Sequence, residues 1–170
     1  VREQSITVAP IGFGIARIAV WGGREATGRF LPTPAYFMPR RVPSKAPDFG
    51  GLEARPAERT AVPANDVIDR LKFPLSLALP GYNSCSWFDN KENLTSVGLW
   101  TEDGSTAVSD AGGKVRQIGH QRLWDTVEEL AEVFPGGIPL REDFGLTITS
   151  EGQRAWYQDP EGPSWPLPTQ

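Results

Sequence analysis

An α+β fold is what this sequence predicts: mainly an antiparallel sheet or meander, one main amphipathic helix over 121–134, and a long proline-rich loop. Three observations predict it. Short apolar runs alternate at period two and end in glycine-rich turns. Sixteen prolines and 18 glycines in 170 residues interrupt the chain too often for a helical bundle. The best helical spacing of apolar residues is confined to the segment from Gln121 to Phe134.

The first elements are strands. Ser5 to Ile11 alternates weakly and includes Ile6 and Val8. Phe13 to Trp21 alternates better, with Phe13, Ile15, Arg17, Ala19 and Trp21 on one face and Gly14, Ala16, Ile18 and Val20 on the other. Both faces are largely apolar, so this strand is expected to be central or covered on both sides. Gly12 and Gly22-Gly23 supply hairpin turns, and a third run, Ala26 to Leu31, ends at Pro32. Pro39 to Pro63 holds five prolines, four arginines and Gly50-Gly51 with no sustained periodicity. It is expected to be a linker or long loop, because it carries too little apolar surface to offset its ordering entropy. Within it only Phe49 offers a docking residue. The domain organisation expected is therefore a strand unit over 1–38, a Pro/Arg-rich linker over 39–64 and an α+β domain over 65–170.

In that last stretch Asp66 is the expected N-cap of a short helix carrying Val67, Ile68 and Leu71, limited by Pro74. Leu75 to Leu79 fits either a strand or a helix and stops at Pro80-Gly81. Leu94 to Thr101, Thr106 to Ser109 and Lys114 to Ile118 form a meander through turns at Glu102-Asp103-Gly104 and Asp110-Ala111-Gly112-Gly113. The main helix follows. Leu123, Val127, Leu130, Ala131 and Phe134 share a stripe flanked by Trp124, and Asp125, Glu128 and Glu129 favour its N-terminal half through the helix dipole. Pro135-Gly136-Gly137 stops it. A hairpin of Phe144 to Thr149 and Gln153 to Tyr157 turns at Ser150-Glu151-Gly152, and Asp159 to Pro163 is expected to end the regular structure.

A net charge of −4 opposes non-specific nucleic-acid binding, and Arg40-Arg41 is too short a basic run to reverse it. The single cysteine, Cys85, excludes an intramolecular disulfide and a cysteine-based zinc site, and a lone His120 excludes a multi-histidine cluster. No stretch approaches the roughly 20 apolar residues that span a bilayer, and the N-terminus lacks a signal-peptide pattern. One unpaired cysteine fits a reducing, cytoplasmic setting. The start at Val1, followed at once by an apolar run, fits a cut through a longer chain, with processing or tag removal as alternatives.

Candidate chemistry is sparse. Gly12-Phe13-Gly14 precedes a strand, so it lacks the helix N-terminus that a phosphate loop requires. Ser84-Cys85-Ser86 could supply a nucleophile only with His120 as base and Asp89 or Asp125 to orient it. The paired carboxylates, Glu102-Asp103, Glu128-Glu129 and Glu142-Asp143, read as solvated surface. The aromatics say more. Trp100, Trp124 and Trp156 fall in strong elements, where core is the default, while Trp87-Phe88 and Tyr82 fall in a polar loop. Exposed tryptophans beside Arg122 or Arg154 would form a peptide-binding groove, so the candidate substrate-binding set is Trp87, Trp100, Arg122, Trp124, Arg154 and Trp156.

Two segments carry a family likeness: RQIGHQRLWDTVEELAEVF (Arg116 to Phe134) and DFGLTITSEGQRAWYQDPEGPSWPL (Asp143 to Leu167), above all RLWDTVEE and FGLT followed by GQRAW. They resemble the C-terminal region of actinobacterial methyltransferases related to protein-L-isoaspartate O-methyltransferase, the type found beside ATP-grasp and lanthipeptide maturation enzymes. VAPIGFGIARIAVWGG with ATGRFLPTPAYFMPRR resembles the last strands of such a catalytic domain. The resemblance implies a cytoplasmic enzyme that moves a methyl group from S-adenosylmethionine to an aspartate-type carboxylate of a peptide or protein. The glycine-rich loop and ribose-binding acid of a Rossmann-like cofactor fold cannot be placed in this sequence, so no catalytic or cofactor-binding residue carries over. The expectation is a substrate-recognition or bracing portion, inactive without an upstream cofactor-binding domain, with a peptide or protein as partner rather than nucleic acid or membrane. The alternatives are a stand-alone peptide-binding module and a small hydrolase built on Cys85 and His120.

Overall fold

The computed structural model describes residues 4–22, 25–35 and 46–168, so Val1, Gly23, Arg40-Arg41 and the start of the proline-rich segment lie outside the described residues. In chain order the strands are β1 (Gln4–Ile11), β2 (Gly14–Trp21), β3 (Glu25–Pro34), β4 (Glu58–Arg59), β5 (Asn83–Phe88), β6 (Leu94–Trp100), β7 (Thr106–Asp110), β8 (Lys114–Ile118), β9 (Phe144–Thr149), β10 (Gly152–Tyr157) and β11 (Ser164–Leu167). The helices are α1 (Ala64–Ile68), α2 (Lys72–Ala78) and α3 (Leu123–Val133), and short 3-10 turns cover Phe49–Leu52 and Arg141–Asp143. The fold is α+β, with two antiparallel sheets. Among the described residues no helix is long and apolar enough to cross a membrane.

The chain forms two compact units: Val1–Pro39 with Ser76–Pro80 and Pro139–Gln170, and Arg40–Leu75 with Gly81–Ile138. This division differs from 1–38, 39–64 and 65–170, because β9 pairs with β3 and so ties the end of the chain to its beginning. The boundary between the units falls within α2.

The first unit is a six-stranded sheet in the order β1-β2-β3-β9-β10-β11. Its pairing puts Ala16, Ile18, Ala26, Phe30, Phe144, Leu146 and Ala155 on one face, all buried. Of the two expectations for β2, central or covered on both sides, the first holds: β2 lies between β1 and β3, while Arg17 and Trp21 on its second face are exposed. Gly12 makes the β1–β2 turn at φ +55°, and a Cβ there would stand 2.4 Å from the Ser76 hydroxyl oxygen, which accepts the Phe13 N–H at 3.1 Å. Regular structure continues past Pro163, since Ser164–Leu167 pairs with β10 as β11. A four-residue edge strand containing Pro166 has no period to read.

The second unit is a five-stranded sheet in the order β4-β8-β7-β6-β5. Val97, Leu99, Ala107 and Val115 form its buried face, against which α1 and α3 pack. Val67, Leu71, Leu123, Trp124, Val127 and Leu130 complete this core. The observed helix α3 is trimmed to Leu123–Val133, and its N-terminus is capped from β8: Gln117 Oε1 accepts the Trp124 N–H at 3.0 Å while Gln117 Nε2 donates to Asp125 at 2.7 Å.

Several local expectations change in this unit and at its boundary within α2. The N-cap of α1 is Pro63, whereas Asp66 lies in its first turn and pairs with Arg70 at 2.5 Å. Leu75–Leu79 resolves as helix for most of its length, and Pro74 sits in the first turn of α2, where a missing N–H costs nothing. The described part of the proline-rich segment is not a bare linker. Asp48 caps the Phe49–Leu52 turn, Leu52 is buried, and Glu58–Arg59 pairs with β8. Single anchors spaced by backbone pairing leave no periodic trace. Trp87 and Phe88 likewise lie in β5, not in a loop.

Candidate ligand-binding site

The second unit's sheet has another face, opposite the helices, and the register assigns its residues. Cross-strand rows run Trp87–Ser96–Asp110, Cys85–Gly98–Val108–Arg116, and Asn83–Trp100–Thr106–Ile118. Above them sits the Phe49–Leu52 turn, held where Asp48 Oδ1 accepts the Gly50 N–H at 3.0 Å and anchored by Leu52. The Phe49 ring meets Trp87 edge-on at 5.1 Å and Trp100 at 5.8 Å, geometries that favour aromatic pairs. Gly98 makes this roof possible, because a Cβ there would lie 2.9 Å from both Phe49 Cε1 and Trp87 Cη2.

Beneath this roof is a cavity of about 400 Å³, lined by Trp87, Ser96, Val108, Asp110, Lys114 and Arg116 from the sheet and by the Phe49 turn. Its lining carries both signs of charge. Asp110 Oδ1 accepts the N–H groups of Gly112 and Lys114, which fixes the β7–β8 turn, and Arg116 Nε donates to the Arg55 carbonyl at 3.2 Å. Trp87 is 38% exposed, so its indole is available to a partner. The Trp100 indole N–H is buried with no hydrogen-bond partner among the described residues. The arrangement offers a mixed apolar and polar lining, edge-packed aromatics and opposite charges: a surface for recognition.

The six sequence candidates do not share one surface. Trp87 and Trp100 come together on this cavity face. Trp124 belongs to the helix on the opposite face, 1% exposed, with its indole N–H donating to Thr60 Oγ1 at 3.1 Å. Arg122 is clamped between Glu58 and Asp125, and those two carboxylates hold its guanidinium protonated even beyond the usual arginine range, chiefly through Asp125. Arg154 and Trp156 lie in the first unit. Arg154 reaches Glu161 at 3.5 Å, and Trp156 is buried, its indole N–H donating to Thr147 at 3.0 Å. The sequence marks Phe49 as a docking residue, and the structure docks it on Trp87 and Trp100; what sequence reasoning missed is Gly98 as its seat. A glycine within an alternating strand was the available signal.

The register does not bring the residues of the hydrolase reading together. Cys85 aligns through Gly98 and Val108 with Arg116, three strand spacings away, roughly 14 Å. His120 lies beyond the end of β8 and is exposed, far outside hydrogen-bond reach of the thiol. Burial also pushes the Cys85 thiol up, away from thiolate character. The proposed orienting acids are occupied elsewhere: Asp89 accepts from the Lys91 and Asn93 N–H groups, and Asp125 from Arg122 and Gln117. Among the described residues no three His, Cys, Asp or Glu side chains converge as metal ligands. Comparison with protein-family models, curated proteins and solved structures returns no match.

Proposed function

We propose that this chain is a peptide-recognition module whose aromatic-roofed cavity in the second unit receives a side chain of the bound peptide. The carrying observation is the position of Trp87, exposed at the cavity rim and on β5, the edge strand of its sheet. An extended peptide added along an edge strand gains affinity from main-chain hydrogen bonds and specificity from the neighbouring pocket. Here the pocket adjoining that edge combines the apolar Phe49, Trp87 and Val108 with the charges of Asp110, Lys114 and Arg116. The test is titration of a library of extended peptides bearing an aromatic or aliphatic residue between charged ones, with amide shifts mapped by NMR. Binding should perturb β5 and β6, and Trp87→Ala should weaken it roughly 30-fold, the ~2 kcal/mol of an aromatic anchor. Unchanged affinity in that variant would overturn the assignment.

The likeness of RLWDTVEE and FGLT…GQRAW to isoaspartate-type methyltransferases favours a specific setting for such a module. In this reading it is the C-terminal portion of a cytoplasmic, S-adenosylmethionine-dependent carboxyl O-methyltransferase and presents the peptide to a cofactor-binding domain outside this sequence. Every strand pair among the described residues is antiparallel, unlike the doubly wound parallel sheets that hold nucleotide-type cofactors. Calorimetric titration with S-adenosylmethionine should show no binding by this chain alone. Tight binding would refute the division of labour while leaving the peptide site to its own test.

A further inference from the structure

The first unit carries a second candidate site, independent of the peptide cavity. On the sheet face opposite the Phe30–Leu146 core, one cross-strand row reads Val8–Arg17–Arg29–Gly145–Trp156. Arg17 and Arg29 are thus direct neighbours across β2 and β3, and like charges so placed repel. Among the described residues neither guanidinium belongs to an ion pair. Among the described residues no carboxylate therefore offsets this repulsion, on a chain whose net charge is −4.

The surroundings hold this pair in place. Gly145 has no side chain, and a Cβ there would fall 2.1 Å from the Trp156 ring, so the indole lies down on the sheet. Thr147 fixes its edge through the indole N–H. Arg29 stacks above that ring with its guanidinium carbon 4.3 Å from the centroid, and Nη1 reaches the Asp143 carbonyl at 3.4 Å. A stacked guanidinium keeps its donors in a fixed fork directed sideways, so little freedom is lost on meeting an oxyanion. A groove of about 500 Å³ extends from the arginines along Ile6, Ala19, Leu31 and Pro160. Ile6 and Val8 nearby are more than half exposed.

We propose that this groove binds a small amphiphilic oxyanion, its carboxylate or phosphate shared by Arg17 and Arg29 and its apolar body lying over Ala19 and Leu31. The ligand charge relieves the arginine repulsion, and the apolar groove distinguishes such a molecule from a bare ion. The probes are N-acetylphenylalanine, phenyl phosphate, inorganic phosphate and the neutral N-acetylphenylalanine amide, read by thermal shift and amide NMR. Either or both of the first two should raise the melting temperature and move amides of β2, β3 and β9, and the stronger identifies the anion class. Inorganic phosphate should act more weakly and the neutral amide not at all. Arg17→Gln and Arg29→Gln should each weaken the response at least about tenfold, the scale of a lost charge-assisted hydrogen bond. Without ligand, Arg17→Gln should melt no lower than the parent, because it removes a repulsion. Equal binding of the neutral amide, an unchanged response in either variant, a lower melting point for unliganded Arg17→Gln, or no response to either amphiphile would each overturn the proposal.

Discussion

Replacing Gly98 by alanine tests whether the aromatic roof is seated on that glycine. The new methyl would lie 2.9 Å from Phe49 Cε1 and Trp87 Cη2 and 3.0 Å from Trp87 Cζ3, against ordinary carbon contacts of roughly 3.5–4 Å. Both rings must therefore retreat by roughly 0.5–1 Å. Overpacking of this kind costs about 1–3 kcal/mol, and each edge-on aromatic pair it loosens is worth ~0.5–1.5 kcal/mol. Opposing this, Gly98 lies in an ordinary strand, so alanine gains about 0.4–1 kcal/mol by restricting the unfolded chain. The net expectation is a loss of about 1–2 kcal/mol, measured from urea unfolding midpoints at constant m, with a weaker near-ultraviolet circular dichroism signal as Trp87 and Phe49 part. In a Phe49→Ala background the same substitution should cost markedly less, a coupling of about 1 kcal/mol in the double-mutant cycle. A higher midpoint for Gly98→Ala, or an equal cost with and without the Phe49 ring, would refute the reasoning.

Three further outcomes follow from the same packing. Gly145→Ala places a methyl within 2.1 Å of Trp156, in a fully packed position; it should destabilise by about 3 kcal/mol or more, lowering the melting temperature far more than Gly98→Ala does. Trp100→Phe removes the buried indole N–H that lacks a partner, recovering ~1–3 kcal/mol of desolvation penalty against the loss of ring area; its urea midpoint should stay within about 1 kcal/mol of the parent, unlike the ~3–5 kcal/mol of a tryptophan-to-alanine change. Asp103 accepts hydrogen bonds from the Thr101 hydroxyl, the Ser105 N–H and the Gln121 side chain, and these hold its carboxyl far below the ordinary value of 3.8. A lowered folded-state pKa stabilises above the unfolded value and is lost as pH falls through the folded one. Stability measured from pH 5 down toward roughly pH 2 should therefore fall more steeply in the parent than in Asp103→Asn.

The α+β class, the β6–β7–β8 meander, the β9–β10 hairpin and α3 are legible because each is encoded locally. Turn residues such as Glu102-Asp103-Gly104 and Asp110-Ala111-Gly112-Gly113 stop one strand and aim the next, and the Leu123–Val127–Leu130 stripe needs only one apolar surface to face. The segments misread or left open are those stabilised by something distant. β4 consists of two residues and exists because β8 lies beside it. The helix or strand identity of Leu75–Leu79 is undecided by five residues that are apolar on all sides but one. Trp87 reads as loop because Asn83–Phe88 is polar and edge-placed, with its partner supplied by β6.

The candidate site divides along the same line. Trp87 and Trp100 are visible as aromatics, and Cys85 with His120 as a reactive combination, but a strand alternation does not reveal which strands become neighbours. Tertiary pairing put Trp87 and Trp100 on one face under Phe49, buried Trp124 on the other, and set three strand spacings between the cysteine line and β8. It also made neighbours of Arg17 and Arg29 and joined β3 to β9 across more than a hundred residues of chain. Composition and periodicity alone determined that this chain would be sheet-rich, turn-punctuated and limited to one cysteine and one histidine, because those properties follow from local propensity and from which side chains are present. Which faces are buried and which residues meet was decided only by tertiary structure, because cross-strand contacts depend on register, and register is set by the whole sheet.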